Sequence, residues 1–208
     1  MTYVLYGNKQ SGSFPVEAAL AKAGAAYEVV ELDLNKGDHE KPEFVALNPM
    51  RQVPALKLPD GTLMTESAAI CIYLAAKHPG AGLAPAPGSA AYPRFLRWLV
   101  FMSNNLYEAD LRYFYPDRYT TDPAGIAGVK AAGATGMAKV FALIEQSLAD
   151  GPYVAGGELS IADVYLAMLM TWSPEPIAAP RLTAVQKAVI ADPAYGAVWR
   201  RHGMAVSD

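Results

Sequence analysis

The chain of 208 residues is predicted to form an α/β N-terminal domain on a mixed four-stranded sheet, followed by an all-α C-terminal helical bundle. Three observations carry this expectation. The first thirty residues read strand, turn, helix, strand; a Gly-, Pro-, Ala- and Ser-rich stretch interrupts the chain from Pro79 to Pro93; beyond it, apolar residues recur at three- and four-residue spacing. The domains are accordingly placed at 1–80 and 92–208, with a linker at 81–91.

Each element has its own signal. Residues 3–6 are β-prone and end at the turn pair Gly7-Asn8. Ser13 is read as the cap of a helix carrying Val16, Ala19, Leu20 and Ala23, stopped by Gly24. Tyr27 to Leu32 returns to β character, so the helix serves as a parallel crossover. A polar stretch and a short helix around Pro42 to Leu47 lead to Val53 to Leu58, which alternates as a strand does. The turn Pro59-Asp60-Gly61 returns Thr62 to Met64 as an antiparallel partner, and Thr65 opens a helix bearing Ile70, Tyr73 and Leu74.

In the C-terminal half, Phe95, Trp98, Leu99, Met102 and Leu106 mark one buried helix face. Ile126, Val129, Met137, Val140, Phe141, Ile144 and Leu148 mark a second. Ser160 with Asp163 three residues later opens a third helix, and pieces near 181–191 and 193–202 complete the bundle.

Composition narrows the function classes. Hydrophobic residues make up 52% and charged residues 18%, which excludes disorder of the chain as a whole. A formal charge of -3 argues against nucleic acid as the main partner. The single cysteine, Cys71, excludes an internal disulfide, a C-x-x-C redox pair and a cysteine-based zinc site. It is read as a small buried hydrophobe, and no metal-ligand spacing is present. The N-terminus does not read as a signal peptide, and the run Ala68 to Ala76 is too short to span a bilayer. These features predict a soluble cytoplasmic protein.

Two short segments carry candidate binding chemistry. In Gln52-Val53-Pro54-Ala55, the proline opens a strand without a donor to give. Were its bond cis, Val53 would present both N–H and C=O to an extended peptide; an ordinary edge-strand proline reads the same way. In Thr65-Glu66-Ser67, free N–H groups, the helix dipole and the Ser67 hydroxyl favour a carboxylate, while Glu66 suits an ammonium. A plain helix cap is the alternative reading.

Asn48-Pro49-Met50-Arg51-Gln52-Val53-Pro54-Ala55-Leu56 and Thr65-Glu66-Ser67-Ala68-Ala69-Ile70, at this spacing, resemble segments of the glutathione transferase superfamily. Ser160-Ile161-Ala162-Asp163 resembles its helix-capping box. The resemblance covers nearly the whole chain and implies a thioredoxin-like N-terminal domain that takes glutathione as co-substrate, a homodimer and a detoxification role. It implies that Val53, before a cis Pro54, pairs with the cysteinyl backbone, and that Glu66 and Ser67 hold the γ-glutamyl end. Gln52 belongs to the same binding segment. His39, in His39-Glu40-Lys41-Pro42-Glu43-Phe44, and Arg51 fall where cations serve the glycyl carboxylate.

The loop after the first strand supplies the sulfur-binding residue in this family. Here it reads Gly7-Asn8-Lys9-Gln10-Ser11-Gly12-Ser13-Phe14, with glycine at position 12, where cysteine-type members carry their cysteine. Ser11 is the preferred catalytic residue; Tyr6 and Ser13 stay open. The implied reaction is addition of the glutathione thiolate to a small hydrophobic electrophile. The alternatives are a non-catalytic glutathione-binding or interaction module, and a glutathione-dependent isomerase or reductase. The Asn48–Leu56 segment also resembles the maleylacetoacetate isomerase branch, whose Ser-Ser-Cys signature is absent. Asn104, Tyr107, Arg112, Tyr113 and Tyr115 are candidates for an electrophile pocket expected between the domains, with Tyr107 preferred. His78 and His202 are read as surface residues at helix ends.

Overall fold

The protein, described by a computed structural model over residues 2–205, builds its N-terminal part around β1 (Tyr3–Gly7). With β2 (Tyr27–Glu31), β3 (Ala55–Lys57) and β4 (Leu63–Met64) it forms a sheet of order β2-β1-β3-β4. β2 runs parallel to β1, with Gly7 opposite Glu31, whereas β3 runs antiparallel to β1, with Tyr6 opposite Ala55. β4 is antiparallel to β3, with Leu56 opposite Met64. This is the mixed sheet expected from the sequence, and α1 (Ser13–Lys22) is its parallel crossover.

The described residues fall into two units, one running to Ala84 and including Ile190–Met204, the other Pro85–Val189. In the first, α3 (Ser67–Lys77) and α9 (Pro193–His202) pack on α1. Its core includes the fully buried Leu5, Phe14, Leu20, Leu56, Ile70, Cys71 and Leu74. Burial pushes the Cys71 thiol far above its ordinary range, which fits an inert core residue. α9 groups with the sheet because Trp199 meets Phe14 edge-on at 5.4 Å and Asp192 pairs with Lys22 at 2.6 Å.

α1 ends as predicted. Gly24 takes φ +60, donating its N–H to Ala21 while that of Ala25 goes to Leu20. Its start differs from expectation: Gly12 occupies the cap position and Ser13 is the first helical residue. Ser13 is buried instead, because its hydroxyl accepts the N–H of Asn8 at 3.3 Å. α3 likewise begins at Ser67 rather than Thr65, preceded by Glu66 at φ 64, ψ 98.

In the second unit, α4 (Tyr92–Phe101) and α5 (Glu108–Phe114) are joined by a π-helical segment, Met102–Tyr107. Phe95, Trp98, Leu99, Met102 and Leu106 form the expected buried face. α6 (Ile126–Ser147) buries Met137, Val140, Phe141 and Ile144, but Ile126 is exposed and Val129 only half-buried, because its first turns leave the core. α5 approaches α6 at Gly133, where a Cβ would stand 2.8 Å from the Ala109 carbonyl and the Tyr113 nitrogen. The stretch Pro123–Asp150, which contains α6, is long and apolar enough by composition to cross a membrane, a length the shorter run at Ala68 lacks. Its buried side instead faces its own unit. α7 (Ile161–Met170) is buried throughout, and α8 (Pro180–Ala191) follows it.

Candidate glutathione site

Strand register brings the predicted segments to one end of the sheet. β1 and β2 are parallel, so the loops following Gly7 and Glu31 leave together. β3 is antiparallel to β1, so Val53 and Pro54, which lead into Ala55, sit beside the end of β1. β4 reverses again, delivering Thr65, Glu66 and Ser67 to the same end. The loops bearing Ser11, His39, Val53 and Glu66 therefore gather where no strand covers them.

The loop after β1 is held by short polar contacts. Asn8 donates its side-chain amide to the Leu32 carbonyl at 2.6 Å, joining this loop to the one after β2. Ser11 Oγ donates to the Asn8 carbonyl at 2.6 Å, lies 3.0 Å from Ser13 Oγ, and accepts the Ser13 N–H at 3.2 Å. Ser11 is partly exposed, and the acceptors in reach of its hydroxyl proton, the Asn8 carbonyl and Ser13 Oγ, are neutral, so a stronger acceptor can replace them by a rotation of χ1. Ser13 is buried, and its hydroxyl supports Asn8 and Ser11. Tyr6 is half-buried, and its ring packs against Phe44 of α2 (Pro42–Leu47) at 6.2 Å.

Asn48 organises the next segment from a buried position. Its amide donates to the Gln52 carbonyl at 2.8 Å and its Oδ1 accepts the Met50 N–H at 3.1 Å. Arg51 takes φ 57 within this turn and is exposed, as is Gln52. The Val53–Pro54 peptide bond is cis. Among the described residues, neither the N–H nor the C=O of Val53 has a hydrogen-bond partner.

Glu66 is exposed at positive φ, a region that non-glycine residues seldom occupy, and its side chain does not cap α3. The buried Ser67 opens that helix, whose first N–H groups point out of its N-terminus.

His39 lies in a short turn, Asp38–Glu40, and its Nδ1 is buried without a hydrogen-bond partner among the described residues. The neighbouring lysines are already engaged: Lys36 holds Asp33 at 2.9 Å and Lys41 holds Asp38 at 2.7 Å. These bonds keep both aspartates below the usual carboxylate range and raise both lysines. Arg51 forms no such pair among the described residues.

The glutathione S-transferase N-terminal domain model matches residues 1–76, and the glutathione S-transferase C-terminal domain model matches residues 114–189. Glutathione S-transferase 3 of Zea mays is 32% identical over 197 residues, covering 86% of this chain and 85% of that protein. The chain belongs to the glutathione S-transferase family.

Glutathione S-transferase GstA of Escherichia coli O157:H7 is 32% identical over 155 residues, 74% of each chain. Among solved structures, a glutathione transferase homologue from Sulfitobacter with bound glutathione superposes with a TM-score of 0.90 at 28% identity, covering 98% of this chain and 99% of that one. A sphingomonad glutathione S-transferase complexed with glutathione reaches 0.82 at 31% identity, with 97% and 100% covered.

Several residues of this transferase escape a reading by sequence. Asn8 and Asn48 are loop organisers whose type signals a turn but not its partners. His202, read as a surface residue, is buried with Nε2 2.6 Å from the equally buried Glu17. Asp110, on α5, is buried with neither carboxylate oxygen partnered among the described residues, and burial raises its pKa to about 8. It lands on the buried face because it follows Leu106 by four residues after the π-helical segment. Four of the candidate pocket residues of the second unit are engaged by other residues of that unit. Tyr107 meets Trp172 edge-on at 5.2 Å, Arg112 lies over Tyr119, Lys130 over Tyr113, and Arg118 over Tyr115, while Asn104 is exposed.

Proposed function

We propose that this glutathione S-transferase binds glutathione across the loop end of its sheet and activates the thiol through Ser11. The observation that carries the reading is the register itself, which gathers four predicted binding segments at one end of four strands. The N–H and C=O of Val53, unpartnered among the described residues, match the main chain of a cysteinyl residue as an added strand would, after Gln52 and before Pro54. Glu66 takes the γ-glutamyl ammonium, and Ser67 with the α3 N-terminus takes its carboxylate. His39 Nδ1, unpartnered among the described residues, and the exposed Arg51 serve the remaining need, a glycyl carboxylate.

Ser11 is the catalytic residue in this reading. Its hydroxyl turns from the Asn8 carbonyl to the glutathione sulfur and favours the thiolate. A free thiol of pKa about 8.5 is mostly protonated at neutral pH, so the first unit of lowering raises the reactive fraction nearly tenfold. The thiolate then forms a carbon–sulfur bond with a small hydrophobic electrophile, either adding to it or displacing a leaving group. Ser13 is less suited because it is buried, and Tyr6 because its ring is packed on Phe44.

Glycine at position 12 leaves no thiol for mixed-disulfide chemistry there. A homodimer accords with the family and with apolar side chains left exposed at Met50 and Val100. The buried lone cysteine accords with a soluble cytoplasmic setting.

Ultraviolet titration of bound glutathione tests the assignment. A thiol pKa lowered in the wild type and restored in Ser11→Ala supports it. An unchanged titration in the mutant transfers the role to Tyr6 or Ser13. Turnover of maleylacetoacetate or of small disulfides in place of electrophile conjugation would redirect the reading to an isomerase or reductase, and light scattering reports the dimer.

A further inference from the structure

The loop that carries Ser11 is tied to the far end of the chain. Gln10 stands at φ 55, and its N–H donates to His202 Nδ1 at 3.3 Å. Its side-chain amide donates to the Gly203 carbonyl at 2.8 Å. Gly203, at φ 63, ends α9 in the left-handed conformation that turns this carbonyl toward the loop.

The tautomer follows from the donors. A backbone N–H can only donate, so Nδ1 of His202 carries the lone pair and Nε2 carries the hydrogen. That hydrogen goes to Glu17 Oε2 at 2.6 Å. The other oxygen of Glu17 pairs with Arg201, which also donates to the Tyr27 hydroxyl at 2.9 Å. His202 and Glu17 are each about 4% exposed or less, so the imidazole is fixed in place.

These ties add to the Asn8–Leu32 and Ser11–Ser13 contacts of the same loop. Asn8 and Lys9 border a cavity of about 370 Å³ whose lining also includes Glu17, Arg201 and His202. Where Asn8 and Lys9 face this cavity, discrete hydrogen bonds rather than dense packing hold the loop.

We propose that His202 is a positioning residue, its Nδ1 holding Gln10 so that the β1–α1 loop presents Ser11 to the glutathione sulfur. This rests on the glutathione-activating role of that loop given above. It assigns to α9 a part in thiol activation through the loop, with no contact to the substrate.

Two substitutions separate the tether from the ion pair. In His202→Asn the side-chain carbonyl replaces Nδ1 as acceptor but does not reach Glu17. In His202→Gln the amide donor replaces Nε2 toward Glu17 and no acceptor remains for Gln10. Both are compared with wild type and Ser11→Ala by thiolate absorbance of bound glutathione, with thermal unfolding recorded alongside. The expected result is a thiol pKa near wild type in His202→Asn and raised by about one unit in His202→Gln, a tenfold loss of thiolate below that pKa. A wild-type thiol pKa in His202→Gln overturns the proposal. So does a loss that follows melting temperature rather than the acceptor. If Ser11→Ala alone raises the pKa, the serine assignment stands and the tether fails. If His202→Gln alone raises it, the tether stands and another loop group replaces Ser11.

Discussion

The side chain of Ser13 occupies the space that a Cβ on Gly7 would need. That Cβ would fall 2.6 Å from Ser13 Oγ and 2.7 Å from its Cβ, closer than unbonded atoms tolerate. The absence of a side chain at position 7 therefore lets the first turn of α1 close against the end of β1.

Gly7→Ala is expected to push Ser13 off the Asn8 N–H and to displace Ser11 with it. Overpacking of this kind costs about 1–3 kcal/mol, measured by chemical denaturation. Glutathione affinity and turnover should fall together, since the loop moves as a unit. Activity at the wild-type level would show that the loop tolerates the shift.

Glu66 combines a proposed ligand role with a disfavoured backbone, at φ 64 and ψ 98. Such conformations cost on the order of 1–3 kcal/mol, and glycine adopts them freely. Glu66→Gly should keep or raise the melting temperature while weakening glutathione binding at least tenfold by calorimetry. Glu66→Ala should lose the same affinity without the gain in stability.

Asp110 should make stability fall as pH rises. Burial raises its pKa from 3.8 to about 8 in the folded protein, so the native state holds this proton more tightly than the unfolded chain. Its contribution is complete below the unfolded value and is lost as pH climbs to about 8. Between pH 6 and 8 the loss amounts to roughly 2–3 kcal/mol. Asp110→Asn, which cannot ionise, should flatten the denaturation free energy over that window relative to wild type.

Asp163 sits at the start of α7 and accepts three hydrogen bonds: from the Val154 N–H at 2.9 Å, the Ser160 N–H at 2.8 Å and the Ser160 hydroxyl at 2.8 Å. Asp163→Ala leaves two buried N–H groups unpaired and should cost about 3–5 kcal/mol in denaturation, whereas Ser160→Ala should cost about 1 kcal/mol. Burial raises Asp163 to about 6 against the pull of these bonds, so its own pH window closes below that of Asp110.

Local signals made much of this protein readable. Gly24 marks the end of α1 because only glycine takes φ +60 there without penalty. The Ser160–Asp163 pair marks α7 because its partners are three residues apart. The reading of Ser13 as a cap failed where a local rule met a tertiary contact: the hydroxyl has Asn8 and Ser11 to serve, so Gly12 took the cap position. His202 looked exposed because a histidine at a helix end normally is, and its buried partner, Glu17, lies 185 residues earlier.

The sequence by itself determined the order of elements, the mixed α/β and helical halves, and the family to which the binding segments belong. These follow from periodicity, turn chemistry and short motifs, all of which act over a few residues. Only the tertiary structure decided that four loops share one end of the sheet, that Asp110 is buried, and that the Gln10 N–H meets His202 Nδ1. Each of those depends on strand register, helix phase or packing between distant segments, and no local window of the chain contains both sides of such a contact.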